Sequence, residues 1–134
     1  METPLSIGQV AKKAQIGIET IRYYERMGLI EKPARKASGY RQYHPQVISR
    51  LQFIRRAKEL GFTLDEITDL LKLRHDARSS AKDVKNRVEN KILKVEEKIK
   101  QLQRIKRGLK ELAQSCSGKG SLDQCPIINS LEGK

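Results

Sequence analysis

Two cysteines close the chain, Cys116 and Cys125, with eight residues between them in the run Cys116-Ser117-Gly118-Lys119-Gly120-Ser121-Leu122-Asp123-Gln124-Cys125. Two convergent thiolates in an apolar setting suit a soft ion such as Cu(I), Ag(I), Au(I) or Hg(II). The same pair fits two inert buried thiols or a redox disulfide, and spacing alone leaves all three readings open. Gly118 and Gly120 let the loop fold back, and Pro126-Ile127-Ile128 would keep water away from it. A second group of residues suits a polyanion. Thr20, Arg22 and Tyr24 fall on one short helical segment, and Arg35, Lys36, Tyr40 and Arg41 on a basic hairpin. An arginine on such a helix reaches a guanine edge or a phosphate. Tyr24, Tyr40 and Tyr43 can donate hydroxyls to phosphates, which positions a protein without reading sequence. Tyr23 is expected to be a core residue, and Lys13 and Arg26 solvated charges.

These side chains need a scaffold, and the pattern supplies one. Ser6 with Gln9 three residues on reads as a capping box opening a helix from Ile7 to Ala14. Gln15-Ile16-Gly17 is the turn, and a second helix runs from Ile18 to about Met27, with Gly28 as its left-handed exit. Pro33 and Ser38-Gly39 bracket a hairpin whose return strand is Tyr40 to Tyr43. Pro45 suits the first position of a third helix, in which Val47, Ile48, Leu51, Ile54 and Ala57 recur at helical spacing and which ends at Gly61. Thr63 and Glu66 form a second capping box, opening a helix with Ile67, Leu70 and Leu71 inward. Arg74 to Ala81 reads as a polar linker.

From about Lys82 to Ala113 the character changes. Val84, Val88, Ile92, Val95, Ile99, Leu102, Ile105, Leu109 and Leu112 form a narrow seam among charged residues, the stripe of a coiled coil. A helix of that length needs a partner helix, so a homodimer is expected.

The composition agrees. Of 134 residues, 33% are charged and 4% aromatic, so the core is aliphatic and thin; the net charge of +12 favours a polyanionic partner. No apolar stretch is long enough for a membrane span, and Met1-Glu2-Thr3-Pro4 does not start like a signal peptide, so a cytoplasmic chain with reduced thiols is expected. A coiled-coil scaffold has no need of Arg22, Tyr40 and Arg41. A thiol oxidoreductase usually has a closer pair at a helix N-terminus. No catalytic constellation appears elsewhere, and the chain reads as a non-enzyme.

The chain resembles the MerR family of transcription activators over essentially its whole length. The resemblance is carried by Ile21-Arg22-Tyr23-Tyr24-Glu25-Arg26-Met27-Gly28-Leu29, by Gly39-Tyr40-Arg41-Gln42-Tyr43 and by the stretch from Leu51 to Ile67. The long helix and Cys125-Pro126-Ile127-Ile128 complete it. It implies an all-α fold with a small β wing: a winged helix-turn-helix over 1–75, a long antiparallel coiled-coil dimerisation helix over 79–114, and a metal-sensing loop and tail over 115–134. It further implies a homodimer on double-stranded promoter DNA, acting with RNA polymerase, in which metal binding activates a metal-efflux or detoxification promoter by distorting its DNA. Within the metal-sensing branch, mercury, lead and zinc sensors carry a further cysteine near the start of the long helix, and this chain has none. Copper sensors also lack it, and their lysine matching Lys85 is thought to offset the charge of two thiolates around a +1 ion. Ala81 stands where copper sensors carry serine, and the eight-residue loop spacing is that of mercury and zinc sensors, where copper sensors have seven. The expected ion is Cu(I), or its congeners Ag(I) and Au(I). Hg(II) is the runner-up, and a redox-sensing thiol pair comes third.

Overall fold

Two of the helices, the first and the fourth, start at a reciprocal side-chain hydrogen-bond exchange legible in the sequence. In the computed structural model, which describes residues 3–35 and 41–134 and only the backbone at 34, 35 and 41, Ser6 opens α1 (Ile7–Ala14). Its hydroxyl accepts from the Gln9 N–H while the Gln9 side chain accepts from the Ser6 N–H. Gln15 then takes the left-handed conformation (φ 58°), turning the chain into α2 (Ile18–Arg26). Within the expected turn Gln15-Ile16-Gly17, the left-handed residue is Gln15, while Gly17 is extended with φ −69°. Arg55, from a later helix, donates to the Ala14 carbonyl (3.4 Å) and to Gln15 Oε1 (3.3 Å), holding the left-handed residue in place.

The wing is short. Strand β1 (Ala34–Arg35) pairs antiparallel with β2 (Arg41–Gln42), Ala34 opposite Gln42 and Arg35 opposite Arg41. Tyr43, just beyond, exchanges backbone hydrogen bonds with Leu5 at 2.7 and 2.8 Å, fastening the hairpin to the start of the chain. The expected contact residues Lys36 and Tyr40 lie outside the described residues.

Helices α3 (Gln46–Glu59) and α4 (Leu64–His75) complete the first unit, which spans residues 1–83. Thr63 and Glu66 cap α4 reciprocally, and Gly61 turns the chain with φ +91°. Pro45 precedes α3 as its cap rather than its first residue. The polar stretch expected as a linker begins later: Arg74 and His75 belong to α4, and Ala81 already opens the next helix. Nothing between Leu71 and His75 breaks a helix, so the polar tail only marks where α4 leaves the core. Helix α1 packs on α2 and α3, and α3 on α4. Val10, Ile21, Leu51, Ile54 and Ile67 are fully buried at their centre.

The two tyrosines of α2 exchange the places expected of them. Tyr24 is buried, at 4% exposure, and Tyr23 stands out at 39%. Tyr24 follows the buried Ile21 by three residues and so shares its face. Its ring is a core element, not a surface contact beside Arg22. Tyr43 is likewise buried, and its hydroxyl donates to Glu25, the buried carboxylate of α2.

The second unit, residues 84–134, is dominated by α5 (Ala81–Ser115), whose first three residues belong to the first unit. Asp83 fixes its start by accepting from the Ser80 N–H (2.8 Å) and hydroxyl (3.2 Å). No residue of α5 is buried, and its seam from Val84 to Leu109 is 41–62% exposed. A 3-10 turn (Leu122–Gln124) and α6 (Pro126–Leu131) follow. The described residues thus form the expected helical fold with one small β wing and a long C-terminal helix. None of these helices is long and apolar enough to cross a membrane.

The Glu25–Tyr43 link joins α2 to the base of the wing. Tyr43→Phe should lower stability by about 1–3 kcal/mol, since a buried acceptor loses a donor. Tyr23→Phe, at the exposed position, should change it by less than about 0.5 kcal/mol. Urea unfolding midpoints of the two variants check this; equal midpoints would refute it.

Candidate metal centre and nucleic-acid interface

The thiol site is built by the end of one helix and the start of another. Cys116 follows directly on α5, where Ser115 donates its hydroxyl back to the Leu112 carbonyl (2.6 Å). The chain then reverses through Gly118 (φ +80°) and Gly120 (φ +92°), conformations that disfavour any Cβ. The 3-10 turn closes when the Cys125 N–H donates to the Leu122 carbonyl at 3.0 Å, and Cys125 becomes the cap residue of α6 with Pro126 at its first position. Asn129 secures the loop by donating its side-chain amide to the Asp123 carbonyl (3.3 Å). The two sulfurs end 3.8 Å apart, half-buried and not disulfide-bonded.

Backbone donors face both sulfurs. The Gly118 N–H donates to Cys116 Sγ at 3.4 Å. The Ile128 amide holds the Cys125 thiol below its ordinary pKa, against the opposing effect of burial, and the Ile127 amide and the Cys116 thiol add to the lowering. These amides act from the first turn of α6 without closing a capping hydrogen bond. The Cys125 thiolate therefore persists to lower pH than that of a free cysteine and is lost as pH falls through the depressed value. Sequence reasoning placed Cys116 at a helix end but missed that Cys125 begins one, although Pro126 signalled it.

Two soft donors with amides turned toward them fit a thiophilic ion and not a hard one. The two sulfurs, 3.8 Å apart, would be the atoms to hold such an ion. Among the described residues, no cluster of three or more His, Cys, Asp or Glu forms. Lys85 does not join the cysteines within one chain. It sits near the opposite end of α5 from Ser115, about 45 Å away along the helix, where it pairs with Glu89 at 3.8 Å. Ala81, exposed at the first position of α5, offers no donor.

On α2, Thr20, Arg22 and Tyr23 form an exposed face, and the Arg26 guanidinium lies over the Tyr23 ring at 6.0 Å. Arg22 donates to Glu19 at 2.7 Å, one turn back. Exposed pairs of this kind contribute at most about 1 kcal/mol, so exchanging the carboxylate for a phosphate or base edge costs little. Burial, and Tyr23 beside it, push the Tyr24 phenol above its ordinary pKa. Arg35 and Arg41 stand opposite each other in the wing register.

A helix-turn-helix, a two-stranded wing and a long helix ending in a thiol loop define a class of DNA-binding regulator. The profile of the MerR HTH family regulatory proteins matches residues 5–73, and that described as MerR, DNA binding matches residues 48–112. The chain belongs to the MerR family. It is 43% identical, over 96% of its length and 97% of the relative's, to the mercuric resistance operon regulatory protein of Bacillus cereus. It is 40% identical to the HTH-type transcriptional regulator CueR of Salmonella typhimurium, over 96% and 93% of the two chains. Among solved structures, the transcription regulator PbrR691 from Ralstonia metallidurans CH34, in complex with lead(II), superposes with a TM-score of 0.85 at 38% identity, covering 95% of this chain and 98% of that one.

The depressed Cys125 thiol makes a direct prediction. In the apo protein, the pH profile of Cys125 alkylation by iodoacetamide, followed by peptide mass spectrometry, should lie on the acid side of that of a reference cysteine peptide. In Cys116→Ser it should move part of the way back, because the neighbouring thiol contributes to the lowering. A Cys125 profile superposed on the reference peptide would contradict the geometry.

Proposed function

We propose that this chain is a metal-responsive transcriptional regulator. As a homodimer on double-stranded promoter DNA, it activates a metal-efflux or detoxification promoter with RNA polymerase, distorting the DNA when Cys116 and Cys125 take up a soft monovalent ion. Cu(I) is the expected inducer, with Ag(I) and Au(I) as congeners. The observation that carries the reading is the approach of two cysteines, separated by eight residues, to 3.8 Å at the end of α5. The mercuric-resistance name of one relative and the lead(II) held by the structural neighbour support the class. In this reading residues 1–75 dock on DNA, residues 79–114 dimerise and residues 115–134 sense.

Two thiolates around a +1 ion leave one negative charge. The amides of Gly118, Ile127 and Ile128 face it, and Lys85 of an antiparallel partner helix would complete the compensation. On DNA, Arg22 and Thr20 read or anchor from α2, while Arg35, Lys36, Tyr40 and Arg41 hold the flanking backbone. Tyr24 supports that surface from beneath. The protein works in the cytoplasm and carries no catalytic role.

Hg(II) is the second reading, favoured by the loop spacing and the mercuric-resistance relative. Two thiolates neutralise it without help from Lys85. X-ray absorption on the loaded dimer, alongside run-off transcription titrated with Cu(I), Hg(II) and Zn(II), separates the readings. Two sulfur scatterers and a response to Cu(I) at the lowest free concentration are expected, with the response abolished in Cys116→Ser/Cys125→Ser. A response confined to Zn(II), or retained in the double variant, overturns the proposal.

The dimer is separately testable. Ile99→Lys places an unpaired ion in the seam at a cost of several kcal/mol. Sedimentation equilibrium should show monomer, while circular dichroism retains the signal of the first unit. A stable dimer would place the interface elsewhere.

A further inference from the structure

The unit of residues 1–83 holds a cleft of about 860 Å³ that none of the roles above uses. Phe53 and Leu71 give it an apolar lining, and Lys32, Arg50 and Arg74 bring positive charge. Among the described lining residues Glu31 is the only carboxylate against these three cations, which leaves two positive charges unmatched. The Nε of Arg50 is buried without a hydrogen-bond partner. Arg55, whose Nε shares that state, has that Nε 3.8 Å from Glu59, and its Nη1 donates to both Ala14 and Gln15. Arg50 has no carboxylate partner among the described residues. A desolvated guanidinium donor with nothing to accept from it is costly, and a bound oxyanion relieves that cost.

Histidines line the cleft as well, and His44 Nδ1 accepts from the Gln46 N–H at 3.1 Å. His75 lines the cleft from the end of α4. A second cleft, of about 510 Å³, shares Arg50, Leu71 and His75 and extends to Asp76 and Ala77, where the chain leaves α4 toward α5. The site therefore lies at the opposite end of α3 and α4 from the turn that joins them.

We propose that this cleft is a phosphate-group site centred on Arg50, with Lys32 and Arg74 as its other cations. A guanidinium presents parallel N–H donors that match phosphate oxygens, and two unmatched positive charges suit a phosphate dianion better than a single carboxylate. The phosphate belongs either to a DNA backbone or to a free phosphorylated small molecule. The proposal does not depend on metal binding at Cys116 and Cys125.

The test uses the full-length protein with two readouts. Isothermal titration with inorganic phosphate and with pyrophosphate, in chloride buffer of matched ionic strength, reports a free ligand. The salt dependence of duplex affinity reports a backbone contact. A free-ligand site gives saturable pyrophosphate binding, weakened roughly tenfold or more in Arg50→Gln and unchanged in Lys98→Gln on α5. A DNA-backbone site gives no such binding, but Arg50→Gln lowers the slope of log affinity against log salt by about one, uniformly across operator variants. Either result supports the proposal. If Arg50→Gln matches the unmodified protein in both readouts, the site is overturned. Thermal unfolding checks that variant's fold. If it fails to fold, Arg74→Gln and Lys32→Gln take its place in both measurements, and unchanged values in both overturn the site in the same way.

Discussion

An apolar stripe that its own chain leaves in solvent governs this structure. Helix α5 runs for 35 residues without burying one, and its seam advances by steps of three or four residues. Apolar surface in water costs about 25 cal/mol per Å², and a stripe of this length cannot fold back onto so small a core. The cover that matches it in length and character is a second copy of itself. In the proposed dimer, pairing is a part of tertiary structure rather than an addition to it. The same constraint places the charge chemistry. Lys85 and the thiol loop occupy opposite ends of one helix, and in the proposed dimer antiparallel pairing is the arrangement that would bring one protomer's lysine to its partner's sulfurs.

Most of this architecture was legible in the sequence because local rules act on adjacent residues. The capping boxes at Ser6–Gln9 and Thr63–Glu66, the turn at Gly61 and the apolar periods of the helices each follow from side chains three or four positions apart. What escaped depends on contacts distant in sequence. Tyr23 and Tyr24 differ by one position, and only the direction of the Ile21 face decides which is buried. Gln15 takes a conformation expected of glycine, with Arg55, forty residues on, holding the carbonyl beside it. Tyr43 read equally well as a surface phenol until Glu25 supplied a buried acceptor. The proposed cleft around Arg50 draws on three separate segments and has no signature in any one of them.

The thiol pair shows a different division of labour. Its residue types were evident, but its electrostatics come from main-chain amides that no side-chain motif announces. Because Gly118, Ile127 and Ile128 act through their backbones, substitutions of the two isoleucines can alter the dryness of the site while leaving those donors in place. The positions of the amides depend instead on the turns at Gly118 and Gly120 and on the first turn of α6. Loop length and glycine placement thus set the distance and charge that an ion meets, and the sulfurs set its softness.

The bridge between Leu5 and Tyr43 has a practical side. It makes Leu5 a third, one-residue strand at the base of the wing, so Thr3 and Pro4 lead in beside the hairpin that the proposed function sets on a duplex. An affinity tag or fluorescent protein fused there would crowd that surface and bring its own charge to it. Any purification handle chosen for binding work on this protein is therefore itself an experimental variable.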